Sequence, residues 1–393
     1  MPTDGVSAAI PLARWADRQL KTLARTNGSA AIAALSGSAL LGERAAPNGF
    51  VNGGRRSAGG KCHLLAAQGG WVALNLARDD DRELLPALFG QRMIDPADLG
   101  EIAELVFACD AGELVARGRE MGLALAHSAE QPDCKPIEVL QSGEQTGARQ
   151  HAPLVVDLSS LWAGPLAGNL LHLIGAEILK VESTARPDAM RLGDPALFAR
   201  LNGGKCSVAL DFSTADGLAA LNRLLVRADI VIEASRPRAL RQSGIDADWL
   251  VATRPGKVWL TITAHGASGA AADWVGFGDD CGVAGGLSAA LASASGTMGF
   301  VGDAIADPLT GIVAAAVASE AWASGRGGRF GIAMSAVTAQ ALREELEFDP
   351  AALDSEFKAW SAAHLRPFPA VDAREPAGPV RLFGADTARW AAC

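Results

Sequence analysis

Short apolar runs alternate with helical patterns from residue 153 onward. Five runs predict strands, at Pro153–Leu158, Ala176–Val181, Cys206–Asp211, Ala228–Glu233 and Lys257–Thr263. The intervening segments predict helices, at Pro165–Ile174, Thr214–Arg227, Ala239–Gly244 and Ala247–Thr253. Strands that alternate with helices in this way form a mostly parallel, doubly wound α/β sheet, in which ligands bind beyond the carboxyl ends of the strands.

The chain before residue 153 has a different pattern. It predicts a helix from Pro11 to Arg25, two strands joined by a turn (Cys62–Leu65 and Gly70–Leu76), and helices up to residue 122. The loop Asn52–Gly60 is rich in glycine and carries two arginines. We interpret it as a linker, with a ligand-binding loop as the alternative, because it lacks the spacing of a phosphate-binding P-loop. Residues 128–152 are polar and contain proline and glycine, which predicts a second linker and a domain boundary.

Charge and cysteine content exclude several classes of function. The net charge of −9 argues against broad binding of nucleic acid or of an anionic membrane, so an anionic ligand would need a local cluster of basic groups. The six cysteines form no CxxC pair, which predicts neither a structural zinc site nor a disulfide framework. We expect no metal. No signal peptide and no apolar run of about 18–20 residues is evident, so a cytoplasmic location is expected.

An acidic residue precedes a proline at Asp307-Pro308, just before a long run of small residues. Asp is a preferred N-cap, and Pro is tolerated at the first helical position. By itself this pattern predicts that Asp307 caps a helix, and a catalytic role is the alternative.

Four stretches between residues 153 and 337 resemble family III CoA-transferases, which include formyl-CoA transferase and carnitine CoA-transferase and have α-methylacyl-CoA racemases as relatives. They are VVDLSSLWAGPLAG at 155–168 with LIGAEILKVE at 173–182, LNGGKCSVALD at 201–211, ADIVIEASRPRALRQSG at 228–244, and GDAIADPLTG at 302–311 with GRGG downstream. Several ordered motifs agree, so the resemblance is specific. It implies a Rossmann-like large domain, CoA as substrate and product, and a homodimer.

The resemblance places Asp307 at the position of the nucleophile. A carboxylate with a pKa near 4 is ionised at neutral pH and attacks a thioester without a separate base. The implied products are an aspartyl anhydride, then an aspartyl-CoA thioester, from which an acceptor acid takes the CoA. The resemblance also implies contacts with CoA at ten positions: Trp162, Ala163, Gly164, Arg191, Lys205, Leu210, Arg236, Arg238, Arg241 and Phe277.

The sequence departs from the family pattern in its basic residues. Where the family often has arginine or lysine for the CoA phosphates, this chain has Ser183, Gly203, Cys206 and Ser213. A non-catalytic acyl-CoA-binding protein or partner subunit is therefore one alternative. A racemase is the other, although racemases carry a histidine where this chain has Phe277.

The strand at Gly70–Leu74 resembles one from the family's small domain, although here it precedes the Rossmann-like part. We therefore predict a reduced small α+β domain at 1–145, the large domain at 146–345, and a segment at 346–393 that returns to the large domain. Three further residues are expected near the site. His265 is expected to be structural, and Asp279 and Asp280 either begin a helix or orient the substrate.

Overall fold

The computed structural model describes residues 9–90, 93–149, 151–235 and 237–391. Its strands are β1 (Cys62–Ala67), β2 (Gly70–Asn75), β3 (Ala124–His127), β4 (Ile137–Gln145), β5 (Leu154–Asp157), β6 (Glu177–Ser183), β7 (Cys206–Leu210), β8 (Ile230–Glu233), β9 (Val258–Thr263) and β10 (Arg326–Ala333).

The helices that precede β6 are α1 (Ala13–Asn27), α2 (Ala30–Ala33), α3 (Gly37–Gly42), α4 (Asp79–Glu83), α5 (Leu85–Phe89), α6 (Leu99–Phe107), α7 (Ala111–Glu120) and α8 (Ala163–Leu173). Those that follow β6 are α9 (Met190–Gly193), α10 (Pro195–Asn202), α11 (Ala215–Arg227), α12 (Pro237–Gln242), α13 (Ala247–Thr253), α14 (Gly278–Ala284), α15 (Leu287–Ser295), α16 (Ala306–Ala323), α17 (Met334–Phe348), α18 (Pro350–Ala362) and α19 (Thr387–Ala391). A 3₁₀ helix spans Gly269–Asp273. None of the helices in the described ranges is both long enough and apolar enough to cross a membrane.

The large sheet has seven strands in the order β4-β10-β9-β8-β5-β6-β7. All neighbouring pairs are parallel except β4 and β10. The strand order reverses between β5 and β8, which is where ligands bind in doubly wound sheets. The predicted Rossmann-like class is therefore confirmed, and a small antiparallel sheet, β1-β2-β3, lies earlier in the chain.

Both faces of the large sheet are buried, as parallel strands require. Successive strand residues point to opposite sides, so Val155 packs in the core with α8 and α16 while Val156 packs in the core with α11. Helix α1 belongs to the first of these cores through Trp15 and Leu20. The N-terminal helix therefore packs on the face of the large sheet that also holds α16.

Strand β4 corrects the prediction of a linker over residues 128–152. It pairs antiparallel with β10 at the edge of the large sheet. Its side chains are exposed or only partly buried, with Ile137 and Val139 among the exposed apolar residues. An edge strand with so little burial carries the polar composition of a linker, which is why the sequence pattern did not reveal it. The large sheet thus begins before the boundary predicted between residues 145 and 146.

The small sheet connects to the large one through α14. One face of the small sheet packs against α5, α6 and α7. Its other face contributes Leu64 and Ala73 to a core with Val283 and Phe300. This contact places the loop that precedes α16 between the two sheets.

Candidate active site

Helix α16 begins at Ala306, with Ile305 before it, so Asp307 is the second helical residue and does not cap the helix. The prediction that Asp307 is an N-cap is therefore wrong. Its main-chain N–H donates to Ala304 O at 2.9 Å, which starts the helix earlier than the Asp-Pro pair indicates. The Asp307 carboxylate instead accepts from the main-chain N–H of Ala163, the first residue of α8, at 3.3 Å. Asp307 remains partly exposed.

Two strained turns bring α8 and α16 together. Leu161 and Ala304 have positive φ angles of 69° and 42°, a backbone conformation that residues other than glycine rarely adopt. Each turn is held by a carboxylate: Leu161 N–H donates to Asp188 at 3.3 Å, and Ala304 N–H donates to Asp279 at 2.9 Å. Such strain persists only where the surrounding structure enforces it, and it clusters at functional sites.

Gly278, the first residue of α14, lies directly against Asp307. A Cβ atom at Gly278 would be 2.2 Å from Asp307 Oδ2 and 2.2 Å from Ala304 O. A side chain at this position would therefore displace the carboxylate or the turn before it. The preceding residue, Phe277, is partly exposed.

Arg44, which follows α3, brings a positive charge to the site. Its guanidinium donates two hydrogen bonds to the buried carboxylate of Asp303, one of them at 2.8 Å. It also lies over the indole ring of Trp162, 5.3 Å from the ring centroid. The positive charge of Arg44 also acts on Asp279 and Asp307, so three carboxylates share one arginine.

The excess of negative charge and the burial change the protonation of these groups. Burial raises the pKa of Asp307 to about 7; Arg44 and the Ala163 N–H oppose the rise, whereas Asp279 and Asp303 add to it. Burial and Asp303 likewise raise the pKa of Asp279 to about 6, against the effect of Arg44. The expected pKa near 4 for Asp307 is therefore wrong for this structure, because the sequence revealed neither the burial of this carboxyl group nor the neighbouring carboxylates.

Lys205 and Arg191, both predicted to contact CoA, form ion pairs within the protein. Lys205 is buried and its Nζ donates to Asp157 and to Pro165 O, each at 2.8 Å. Arg191 donates twice to Glu182 and once to Ser207. Both cations are therefore paired with carboxylates of the protein, and Lys205 is not accessible to a phosphate.

The other predicted contact residues fall into three places. Trp162, Ala163 and Gly164 begin α8 beside Asp307. Leu210 is buried at the end of β7, in the core on the other face of the sheet. Arg236 lies outside the described residues, while Arg238 and Arg241 belong to α12.

Asp280 and Cys281 of α14 lie close to His265. Their potential ligand atoms are all within 4.8 Å of one another, a distance that could suit a metal ion. The guanidinium of Arg119 lies 3.4 Å from both ring nitrogens of His265, which opposes a second positive charge there. Asp280 accepts from Asn75 and from the Phe277 N–H, so it does hold the start of α14.

Sequence reasoning missed Arg44, Asp303 and Asn75. Arg44 and Asp303 are 259 positions apart, and no local pattern links them. Asp303 was within the stretch GDAIADPLTG, but nothing in that stretch distinguishes a buried, paired carboxylate from an exposed one.

Comparison with known proteins places these residues in a family context. The family model described as CoA-transferase family III matches residues 153–349. The succinate–glutarate CoA-transferase of Agrobacterium fabrum is 31% identical over 171 residues, which are 40% of this chain and 43% of that protein. The succinyl-CoA–D-citramalate CoA-transferase of Chloroflexus aurantiacus is 32% identical over 168 residues, 41% of this chain and 42% of that one.

Among solved structures, a hypothetical protein from Mycobacterium tuberculosis is 26% identical, with a TM-score of 0.46 over 52% of this chain and 61% of that chain. A CaiB/BaiF family protein from Brucella suis is 25% identical, with a TM-score of 0.42 over 53% of this chain and 58% of that chain. The chain spans about two fifths of the length of the two curated relatives described above.

Proposed function

The chain belongs to CoA-transferase family III, and from that membership we propose that it moves CoA between an acyl-CoA and a carboxylic acid, with Asp307 as the nucleophile. One observation carries the proposal beyond the family match. Asp307 is a partly exposed carboxylate at the start of α16, and it accepts from the first N–H of α8. The acids that it exchanges stay undefined, because acyl pockets consist of unspecific apolar groups.

In the proposed cycle, an Asp307 oxygen attacks the thioester carbonyl, the C–S bond breaks, and CoA leaves as a thiolate. This step forms an aspartyl anhydride. The thiolate then attacks the aspartyl carbonyl and releases the first acid as its carboxylate. The second acid attacks the aspartyl carbonyl, the C–S bond breaks, and a second anhydride forms as the CoA thiolate leaves. The thiolate then attacks the acyl carbon of the second acid, which forms the new acyl-CoA and releases the Asp307 carboxylate. No water is consumed, and the bonds formed and broken balance.

The surrounding groups have distinct roles in this proposal. Negative charge develops on a carbonyl oxygen at each attack, and the positive end of the α8 helix dipole, at Ala163 beside Asp307, would stabilise it. Arg44 favours the ionised form of Asp307, since its charge lowers the pKa of that carboxyl against the effect of burial. Gly278 leaves the space in which the carboxylate lies.

Hydroxylamine trapping tests the proposal. The protein is mixed with a panel of acyl-CoAs and then with hydroxylamine, which converts an activated aspartate to a hydroxamate about 15 Da heavier. We expect that adduct on the peptide containing Asp307 and no adduct in Asp307→Asn. A protein that binds CoA esters but never forms the adduct would instead be a non-catalytic binding protein or partner subunit. Exchange of the α-proton with solvent, without an acceptor acid, would indicate a racemase. The homodimer expected from the resemblance stays a prediction.

A further inference from the structure

Two adjoining cavities lie between the small sheet, α6 and the end of α18. Their volumes are about 330 and 820 Å³, and they share Arg55, Trp71 and His364 in their walls. We refer to them together as the loop cleft, because Gly53, Gly54 and Arg55 of the loop Asn52–Gly60 line it. Asp307 does not line either cavity.

The walls of the loop cleft differ in chemistry. Arg55 and Arg56 are exposed on one side, and the Arg55 guanidinium lies 5.5 Å from the centroid of the Trp71 ring. Leu99 and Phe107 of α6, which are 39% and 66% exposed, form an apolar side. Glu104 is the acidic residue in the described lining. A ligand that combines negative charge with a flat aromatic ring would satisfy both sides.

Main-chain hydrogen bonds hold the loop that carries the two arginines. Leu64 N–H donates to Arg55 O at 2.8 Å, and Phe300 N–H donates to Gly54 O at 2.7 Å. Gly54 has a φ angle of 63°, and a Cβ there would lie 2.7 Å from the His364 ring. The cleft is therefore pre-formed on three segments of the chain.

Positive charge is concentrated at the cleft despite the net negative charge of the chain, because Arg55 and Arg56 both line it. Burial, together with the charges of Arg56 and Arg82, lowers the pKa of His63 to about 4. His63 lines the larger cavity beside Arg56. A bound phosphate would relieve this concentration of positive charge.

Three cations at the strand ends of the large sheet are already engaged. Lys180, Lys205 and Arg191 are each paired with a carboxylate, whereas Arg186, beyond β6, is exposed. The family positions that often hold basic residues are occupied here by Ser183, Gly203, Cys206 and Ser213.

We propose that the loop cleft binds the adenosine phosphate end of CoA, with Arg55 and Arg56 on the phosphates and the ring against Trp71 and Phe107. This inference rests on the proposed function. The same loop connects the cleft to the aspartate, because Ser57 contacts Asp279 and a Cβ at Gly59 would lie 3.4 Å from the Arg44 guanidinium. Arg55 and Gly59 are at most about 14 Å apart, a distance that the pantetheine arm of CoA can bridge.

Calorimetry with adenosine 3′,5′-bisphosphate on the full chain tests the proposal. We expect the double variant Arg55→Ala/Arg56→Ala to weaken binding at least about tenfold, because two charge-assisted contacts are lost. Glu104→Gln is expected to strengthen it, since a negative charge leaves the cleft. Arg117→Ala, an exposed arginine on α7 outside the cleft, should leave binding unchanged.

Two further results keep the inference separate from the proposed function. Unchanged binding in Arg55→Ala/Arg56→Ala, with a loss in Arg186→Ala beyond β6, would overturn the loop cleft and place the nucleotide at the strand ends. Binding in the cleft without any hydroxamate on Asp307 would overturn the transferase mechanism and leave the cleft standing. All variants are checked for unchanged thermal unfolding.

Discussion

Two groups of carboxylates lie near the start of α8 and differ in their charge balance. Asp157 and Asp188 each have a lysine of their own, Lys205 and Lys180, at 2.8 and 2.9 Å. Asp279, Asp303 and Asp307 share Arg44. Burial raises the pKa of both Asp157 and Asp307, but Lys205 and Lys180 bring that of Asp157 below its ordinary value, whereas that of Asp307 reaches about 7.

The comparison separates structural charges from reactive ones. A buried carboxylate with its own cation is held in one ionisation state and serves to fix the fold. A carboxylate in a cluster with too few cations has a pKa near neutral pH. Groups with such a pKa are typical of active sites, where a side chain must gain or lose a bond during the reaction. The same residue type thus acquires different chemistry from the number of positive charges around it.

Of the variants considered, Asp307→Asn should have the largest effect on activity. It should not destabilise the protein. We expect CoA transfer to fall at least about a thousandfold, because no other group supplies the nucleophile. The free energy of unfolding should stay equal or rise, since the variant removes one of the three carboxylates that share Arg44. Initial rates and urea denaturation test both parts. Substantial residual transfer in the variant would reject Asp307 as the nucleophile.

Asp157→Asn should show the opposite pattern. Removing one partner of a buried pair leaves Lys205 uncompensated, which is expected to destabilise the protein by about 3–5 kcal/mol. The double variant Asp157→Leu/Lys205→Met removes both charges and should recover most of that loss. Urea denaturation measures the free energies of unfolding. If the single and double variants are equally unstable, packing and not charge pairing explains the site.

Gly278→Ala is expected to reduce transfer about a hundredfold, because a displacement of the carboxylate by about 1 Å can cost this much. A Cβ at Gly278 would overlap Asp307, whereas one at Gly282 on the same helix would lie an ordinary 3.4 Å from Ile305. Gly282→Ala is therefore the matched control and should keep nearly full activity. Steady-state rates of the two variants decide the point; equal activities would show that the space at Gly278 is not needed for Asp307.

Substitution of Arg44 should have the smallest effect on the rate of transfer, but it tests directly how charge sets the pKa of Asp307. Transfer by the wild-type chain should rise with pH through about 7 as Asp307 ionises. Because Arg44 lowers this pKa, Arg44→Met should move the midpoint to higher pH, and activity below the midpoint falls about tenfold for each unit of the move. Arg44→Lys keeps a positive charge and should move it less. Rate–pH profiles of the three proteins test this, and a midpoint that does not move would mean that Arg44 only anchors Asp303.

Much of the fold follows from local patterns. Helix α13 has the predicted bounds Ala247–Thr253, and the five predicted strands differ from β5–β9 by at most two residues at either end. These elements are buried on one or both faces, so apolar periodicity marks them. Strand β4 lacks that signal because it is an edge strand with little burial.

The site was less accessible from the sequence. The position of Asp307 came from the family resemblance, whereas its wrongly predicted N-cap role came from the Asp-Pro pattern alone. The neighbours of Asp307 belong to segments that are distant in sequence: Arg44 follows α3, Ala163 begins α8 and Gly278 begins α14. A local pattern shows neither how far a side chain will be buried nor which charges will surround it, and so the pKa of Asp307 could not be predicted.

The bond between Arg44 and Asp303 has a consequence for recombination between relatives. A chimera that exchanged only residues 153–349 would carry the nucleophile and Asp303 into a host whose N-terminal segment evolved without them. Unless that host supplies a cation at the place of Arg44, Asp303 is left buried and unpaired, at an expected cost of about 3–5 kcal/mol. The two segments should therefore be inherited as a pair, and crossover points between them should be selected against.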